Sequence, residues 1–168
     1  MSSQQWVTEI YHHSRVSITC DANNTTETKT LFTLTGAVYL KAIWGEVTTA
    51  IGTNHTGGKL VIVSDSLSDD LTTSGVTLSS TGGTAGTIIV KRGLIASTLL
   101  RLSSNAGNFD EAATAGVDIF SPLFLVEDFG STLPTTVGYN YATTNTPGSG
   151  VIEWHALWRP LSSDGNLA

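Results

Sequence analysis

The sequence predicts an all-β fold: a single-domain β-sandwich, jelly-roll-like, with little helix. Three observations carry that reading. Apolar and polar residues alternate with period two along most of the 168 residues, as in strands that bury one face. Gly, Asn, Pro and Asp clusters interrupt the alternation often enough to divide it into about eight to ten short strands. A sustained 3.6-residue period is missing. The length fits one domain, which can bury about two-thirds of its unfolded surface without a metal or disulfide staple.

Taken in order, residues 1–14 read as an N-terminal arm, 15–161 as the β-sandwich domain and 162–168 as a polar C-terminal tail. The arm carries Trp6, Val7, Ile10 and Tyr11, the candidate partner-binding residues, which would dock on the chain's own domain or on a neighbour. In "RVSITCD", Val16, Ile18 and Cys20 share one face, and Cys20 reads as a small buried hydrophobe. "TLFTLTGAVYLKAIWG" reads as one long strand with Phe32, Leu34, Val38, Leu40 and Trp44 on one face and a bulge or bend at Gly36. "HTGGKLVIVSD" is a β-branched run entered through a Gly-Gly turn, with His55 in the turn. "GVTLSSTGGTAGTIIVKRG" reads as strand, turn and strand; "STLLRLSS" follows, with a turn at "SSNAGN". "FDEAATAG" suits two helical turns, with Asp110 and Glu111 at the N-terminus. The proline in "DIFSPLFLVEDFG" fits an edge or a strand break. "TVGYNYATTN" alternates again, "TPGSG" turns, and "IEWHALWRPL" closes the domain as a strand.

Composition limits the function classes. Forty per cent of residues are hydrophobic, enough for a core, and only 13% are charged, about half the usual share. Serine and threonine fill roughly a quarter of the chain. So weakly charged a surface has little repulsion to keep it from partners or copies of itself. The net charge of −6, with cations scattered rather than clustered, argues against direct nucleic-acid binding and against anionic membranes. No apolar run reaches the ~20 residues of a spanning helix. "MSSQQWVTEIYHHSR" lacks a basic start and an apolar core, so no leader is expected. A single cysteine excludes an internal disulfide and favours a reducing compartment.

Candidate chemistry is sparse. His12 and His13 are adjacent and would face opposite sides of a strand, and Cys20 has no partner at zinc spacing, so no metal and no cofactor is expected. Asp65, Asp69 and Asp70 in "SDSLSDD" lack the calcium-loop pattern and read as solvated carboxylates. Glu127 and Asp128 read as charged gatekeepers after a hydrophobic strand. "STGGTAGT" is a turn without the lysine of a phosphate loop, and no G-x-S-x-G occurs. In the closing strand Ile152, Trp154, Ala156, Trp158 and Pro160 share an apolar face, while Val151, Glu153, His155, Leu157, Arg159 and Leu161 share a mixed one. The tryptophans are expected in the core, each burying about 150–250 Å². Glu153, His155 and Arg159 read as a polar sheet face or subunit contact, and no catalytic residue is assigned.

The segment "TTNTPGSGVIEWHALWRPLSSDGNLA" resembles the C-terminal ends of small virion proteins of tailed bacteriophages, through Gly150, Ile152, Trp154, Leu157, Trp158, Arg159, Pro160 and Leu161. The resemblance implies a non-enzymatic capsid decoration (cement) protein, assembled in the host cytoplasm and located in the virion. It implies a homo-oligomer, with a homotrimer favoured, that binds the phage major capsid protein and stabilises the head between coat subunits. The alternative is a tail- or fibre-associated carbohydrate- or receptor-binding module, in which Trp44, Tyr39, Tyr139 and Tyr141 would be exposed for sugar stacking.

Overall fold

The computed structural model describes residues 10–65, 68–72, 76–78, 83–91, 100–102, 123–144 and 147–168. Trp6, Val7 and the helix expected at 109–116 lie outside them. Among the described residues there is no helix, and eleven strands form two antiparallel sheets. The strands are β1 (His12–Thr19), β2 (Thr26–Thr35), β3 (Ala37–Thr49), β4 (His55–Val63), β5 (Ser68–Asp70), β6 (Ile88–Val90), β7 (Leu100–Leu102), β8 (Leu123–Val126), β9 (Thr135–Thr143), β10 (Val151–Pro160) and β11 (Asn166–Leu167).

One sheet runs β1-β10-β3-β6-β7, with β8 paired to β3 end to end with β6; the other runs β11-β2-β9-β4-β5. The first four strands alternate between the sheets, and the inner order β1-β10-β3-β6 opposite β2-β9-β4-β5 is that of a jelly roll. The alternation expected from sequence explains the packing: inward residues of both sheets interdigitate in one core. Trp154, Ile152, Tyr139, Tyr141, Phe32, Leu34, Leu40 and Ile43 are all essentially inaccessible there.

Gly36 is where the structure departs most from the expected long strand. With φ at +59° it turns the chain from β2 in one sheet to β3 in the other. An added Cβ would lie 2.5 Å from both Asp164 Oδ1 and Ser162 Oγ. Glu127, expected as a gatekeeper, accepts the Gly36 N–H at 2.7 Å and fixes this corner.

Residues 12–14 of the expected arm and 166–167 of the expected tail belong to strands. β1 already begins at His12, and its first residues pair with the end of β10. The last residues fold back as β11 on β2, burying Leu167 completely. Ser14 Oγ donates to the Leu167 carbonyl, tying the two ends together. Asp69 and Asp70, expected in a solvated loop, lie in the edge strand β5, where Asp70 pairs with Lys59 at 2.7 Å. Cys20 is 1% exposed, as its alternation predicts. His55 does not sit in a turn; it opens β4 and is 2% exposed, in a column with Tyr141 (5.0 Å), Tyr139 and Trp154.

Candidate contact face

The two outer faces of the sandwich are unlike. On the five-stranded sheet, β2 presents Thr26, Thr28, Thr30, Thr33 and Thr35 to solvent, beside Thr136 and Asn140 of β9. Short hydroxylated side chains of this kind are an ordinary wet β-surface. The six-stranded sheet presents Tyr11, His13 and Arg15 near β1, then Glu153, His155, Leu157 and Arg159 on β10. Beyond them come Tyr39, Lys41, Trp44 and Glu46 on β3 and Phe124 and Val126 on β8.

A β-bulge assembles this face. In the β10–β3 ladder Leu157 opposes Ala42 and Trp158 opposes Leu40, which leaves Lys41 without an opposite number. The extra residue inverts the parity of β3: Val38 and Leu40 point inward before it, and Ile43, Gly45 and Val47 after it. Trp44, expected on the core face with Leu40, is therefore turned outward and half-buried. Gly45 takes the core position opposite Trp154, where an added Cβ would lie 3.0 Å from Trp154 Cδ2. The missing side chain is what makes room for the indole.

Around Trp44 three parallel rings cross three strands. His155 lies 5.0 Å from Trp44 and His13 lies 5.2 Å from His155, all within 10° of parallel. His13 Nε2 and His155 Nδ1 share a hydrogen bond of 3.0 Å. His155 Nε2 is 3.3 Å from Glu153 Oε1, which Arg15 approaches at 3.9 Å. Burial lowers the His155 pKa, against the opposing pull of Glu153. One proton serves the contact between His13 Nε2 and His155 Nδ1, so one ring donates and the other accepts. Among the described residues no serine, threonine or cysteine hydroxyl or thiol hydrogen-bonds either imidazole.

Nearer the sheet corner, Arg159 lies over the Tyr39 ring at 5.0 Å and Lys41 over Tyr11 at 4.5 Å. Tyr39 meets Phe124 edge-on at 5.3 Å and Tyr11 at 6.5 Å. Between this cluster and the imidazoles lies an open depression of about 400 Å³, lined by Lys41, Ala42, Trp44 and Leu157.

Of the four arm residues singled out from sequence, Ile10 and Tyr11 are described. Ile10 is 76% exposed, and Tyr11 packs on its own domain against Tyr39 and Lys41. Of the four aromatics considered for sugar stacking, Tyr139 and Tyr141 are in the core, whereas Tyr39 and Trp44 lie on this face. Glu153, His155 and Arg159 share it, as the strand reading expects; His13, weighed from sequence only as a metal ligand, and Phe124, not singled out, join them. In "LKAIW" the consecutive apolar residues Ala42 and Ile43 are a local trace of the parity break, but they do not say which residue is the extra one. The approach of His13 to His155, 142 positions apart, has no local signal. Among the described residues no group of three or more His, Cys, Asp or Glu is arranged to hold a metal ion. No protein family, curated protein or solved structure matches the chain.

Proposed function

We propose that the protein is a non-enzymatic structural component of a tailed-phage particle, a capsid decoration protein that binds through the outer face of its six-stranded sheet. The observation that carries this reading is the contrast between the faces: threonines on one, and Tyr11, Tyr39, Trp44, Phe124, Arg15 and Arg159 on the other. Aromatic residues and arginine are the types that concentrate binding energy at protein interfaces. Phe124 and Val126 are 72% and 55% exposed, so the face offers apolar area that a partner would remove from water. The strand order adds analogy only: jelly rolls build viral capsid proteins and lectins alike. The assignment to a phage particle rests on the resemblance of the C-terminal segment.

Sugar binding suits this face less well. A stacking platform needs broad open ring faces, and here His155 stacks on one face of Trp44 and Arg159 on one face of Tyr39, which reduces the ring area left for a sugar. The test is to add the purified chain to particles lacking it and to measure co-sedimentation and the particles' melting temperature. Binding with a raised melting temperature, lost in Phe124→Ser and kept in Thr28→Ser on the opposite face, is the expected result. No co-sedimentation and no shift at saturating protein would overturn the proposal.

A further inference from the structure

We infer that the depression at Trp44 receives loop 127–134 of a second copy of this chain, so that copies associate head to tail. The inference rests on the reading of the outer face as a contact surface and names one of its occupants.

The loop between β8 and β9 displays two large apolar side chains, Phe129 at 75% and Leu133 at 60% exposure. Its backbone is held by a dense set of hydrogen bonds. Asp65 Oδ2 accepts from Thr132 N at 2.8 Å and from Thr132 Oγ1 at 2.6 Å. Asp128 accepts from Gly130 N and from Ser64 Oγ, and its own N–H donates to Thr135 Oγ1. Ser131 Oγ accepts from Asp65 N and Leu133 N. The apolar tips are thus presented on a loop that is already ordered, which lowers the entropic cost of inserting them into a partner.

The depression complements the loop in shape and in charge. Its apolar wall comes from Trp44, Ala42 and Leu157, and its volume of about 400 Å³ accommodates an aromatic and an aliphatic side chain. Lys41 lines it and Arg159 stands beside Leu157 on the same face; among the described residues no carboxylate lines it. Loop 127–134 carries Glu127 and Asp128 and no Lys or Arg, and it is braced by Asp65. Hydrogen bonds from Ser131 and Thr132 hold the Asp65 pKa down, at about 2, so the carboxylate that braces the loop is ionised at neutral pH.

Loop and depression do not meet within one chain. Ser64 and Asp65, just past β4, anchor the loop to the five-stranded sheet, whereas the depression opens on the outer face of the other sheet. A contact between two different patches is heterologous, and repeated by a closing rotation it generates a ring.

Sedimentation of the full chain over a range of concentrations tests this. The wild type is expected to self-associate, with association weakened at high salt. Phe129→Ser and Leu157→Glu, each with an unchanged circular dichroism spectrum and melt, are expected to be monomers. Mixed together, they are expected to form a one-to-one dimer and nothing larger, because each retains the half that the other lacks. A monomeric wild type, a Phe129→Ser variant with wild-type mass, or a mixture that stays monomeric would each overturn the inference. If the wild type is monomeric yet still binds particles, the inference falls and the proposed function stands. If it self-associates as described without binding particles, the reverse holds.

Discussion

Acid should destabilise this fold through one side chain, His55. Its imidazole is 2% exposed and stacked 5.0 Å from Tyr141; Nε2 hydrogen-bonds Tyr139 Oη at 3.1 Å, and Nδ1 is buried with no partner. Burial pushes its pKa down from 6.5 to about 4. The unfolded chain therefore takes up this proton first as the pH falls. The stabilising effect is complete above pH 6.5 and declines until the folded imidazole itself protonates near 4. At about 1.4 kcal/mol per pH unit, the loss across that window is about 3 kcal/mol. Against a typical domain stability of roughly 5–15 kcal/mol, that is a large share. The assay is urea denaturation at pH 7, 6, 5 and 4 on the wild type and on His55→Gln, whose amide can still bond Tyr139 but does not titrate. Carboxylates and the other histidines cancel in the difference between the two proteins. The wild-type advantage should shrink by about 3 kcal/mol from pH 7 to pH 4. An advantage that stays constant across the series would refute the reasoning.

Cys20, 1% exposed and with its thiol pKa pushed up to about 12 by burial, should resist a thiol-specific chromogenic reagent in the native protein and react fully in denaturant. Gly45→Ala should cost about 1–3 kcal/mol in chemical denaturation, because the new methyl meets Ile152 Cγ2 at 2.9 Å and Trp154 Cδ2 at 3.0 Å within a packed core. Removing residues 166–168 takes the fully buried Leu167 out of the core, together with the paired hydrogen bonds between Thr33 and Ala168. A loss of about 2–5 kcal/mol is expected, read as a lower melting temperature.

The sequence exposed the fold wherever a strand kept strict alternation. Val16, Ile18 and Cys20 point inward as their spacing requires, and so do Ile152, Trp154, Ala156 and Trp158. What it hid were the points where backbone geometry changes parity or sheet. Gly36 looked like a bulge in one strand because the apolar period continues across it; only the positive φ and the contacts from Glu127 and Ser162 make it a corner. The unmatched Lys41 reversed the expected side of Trp44 by shifting register by a single residue, the error to which a period of two is most sensitive. The candidate face suffered most from this. Its β10 half was legible as a mixed strand face. Its β3 half depended on the bulge, and its His13 and Phe124 depended on pairings between residues far apart in the chain.

The contrast between the outer faces is hard to derive from folding alone. A sandwich needs its inner faces apolar, and on the outer face of the five-stranded sheet β2 carries exposed threonines. Aromatic rings at the matching positions of β3 and β8 contribute nothing to the core. With only 13% charged residues there is little repulsion to protect so apolar a surface from association. The hydrogen-bonded presentation of Phe129 and Leu133 carries the same implication at the end of the sandwich: ordering a loop costs conformational entropy, and exposed apolar tips recover none of it in an isolated monomer. Both features become favourable once another surface covers them. The proposed association puts the two together, the loop of one copy against the depression of the next.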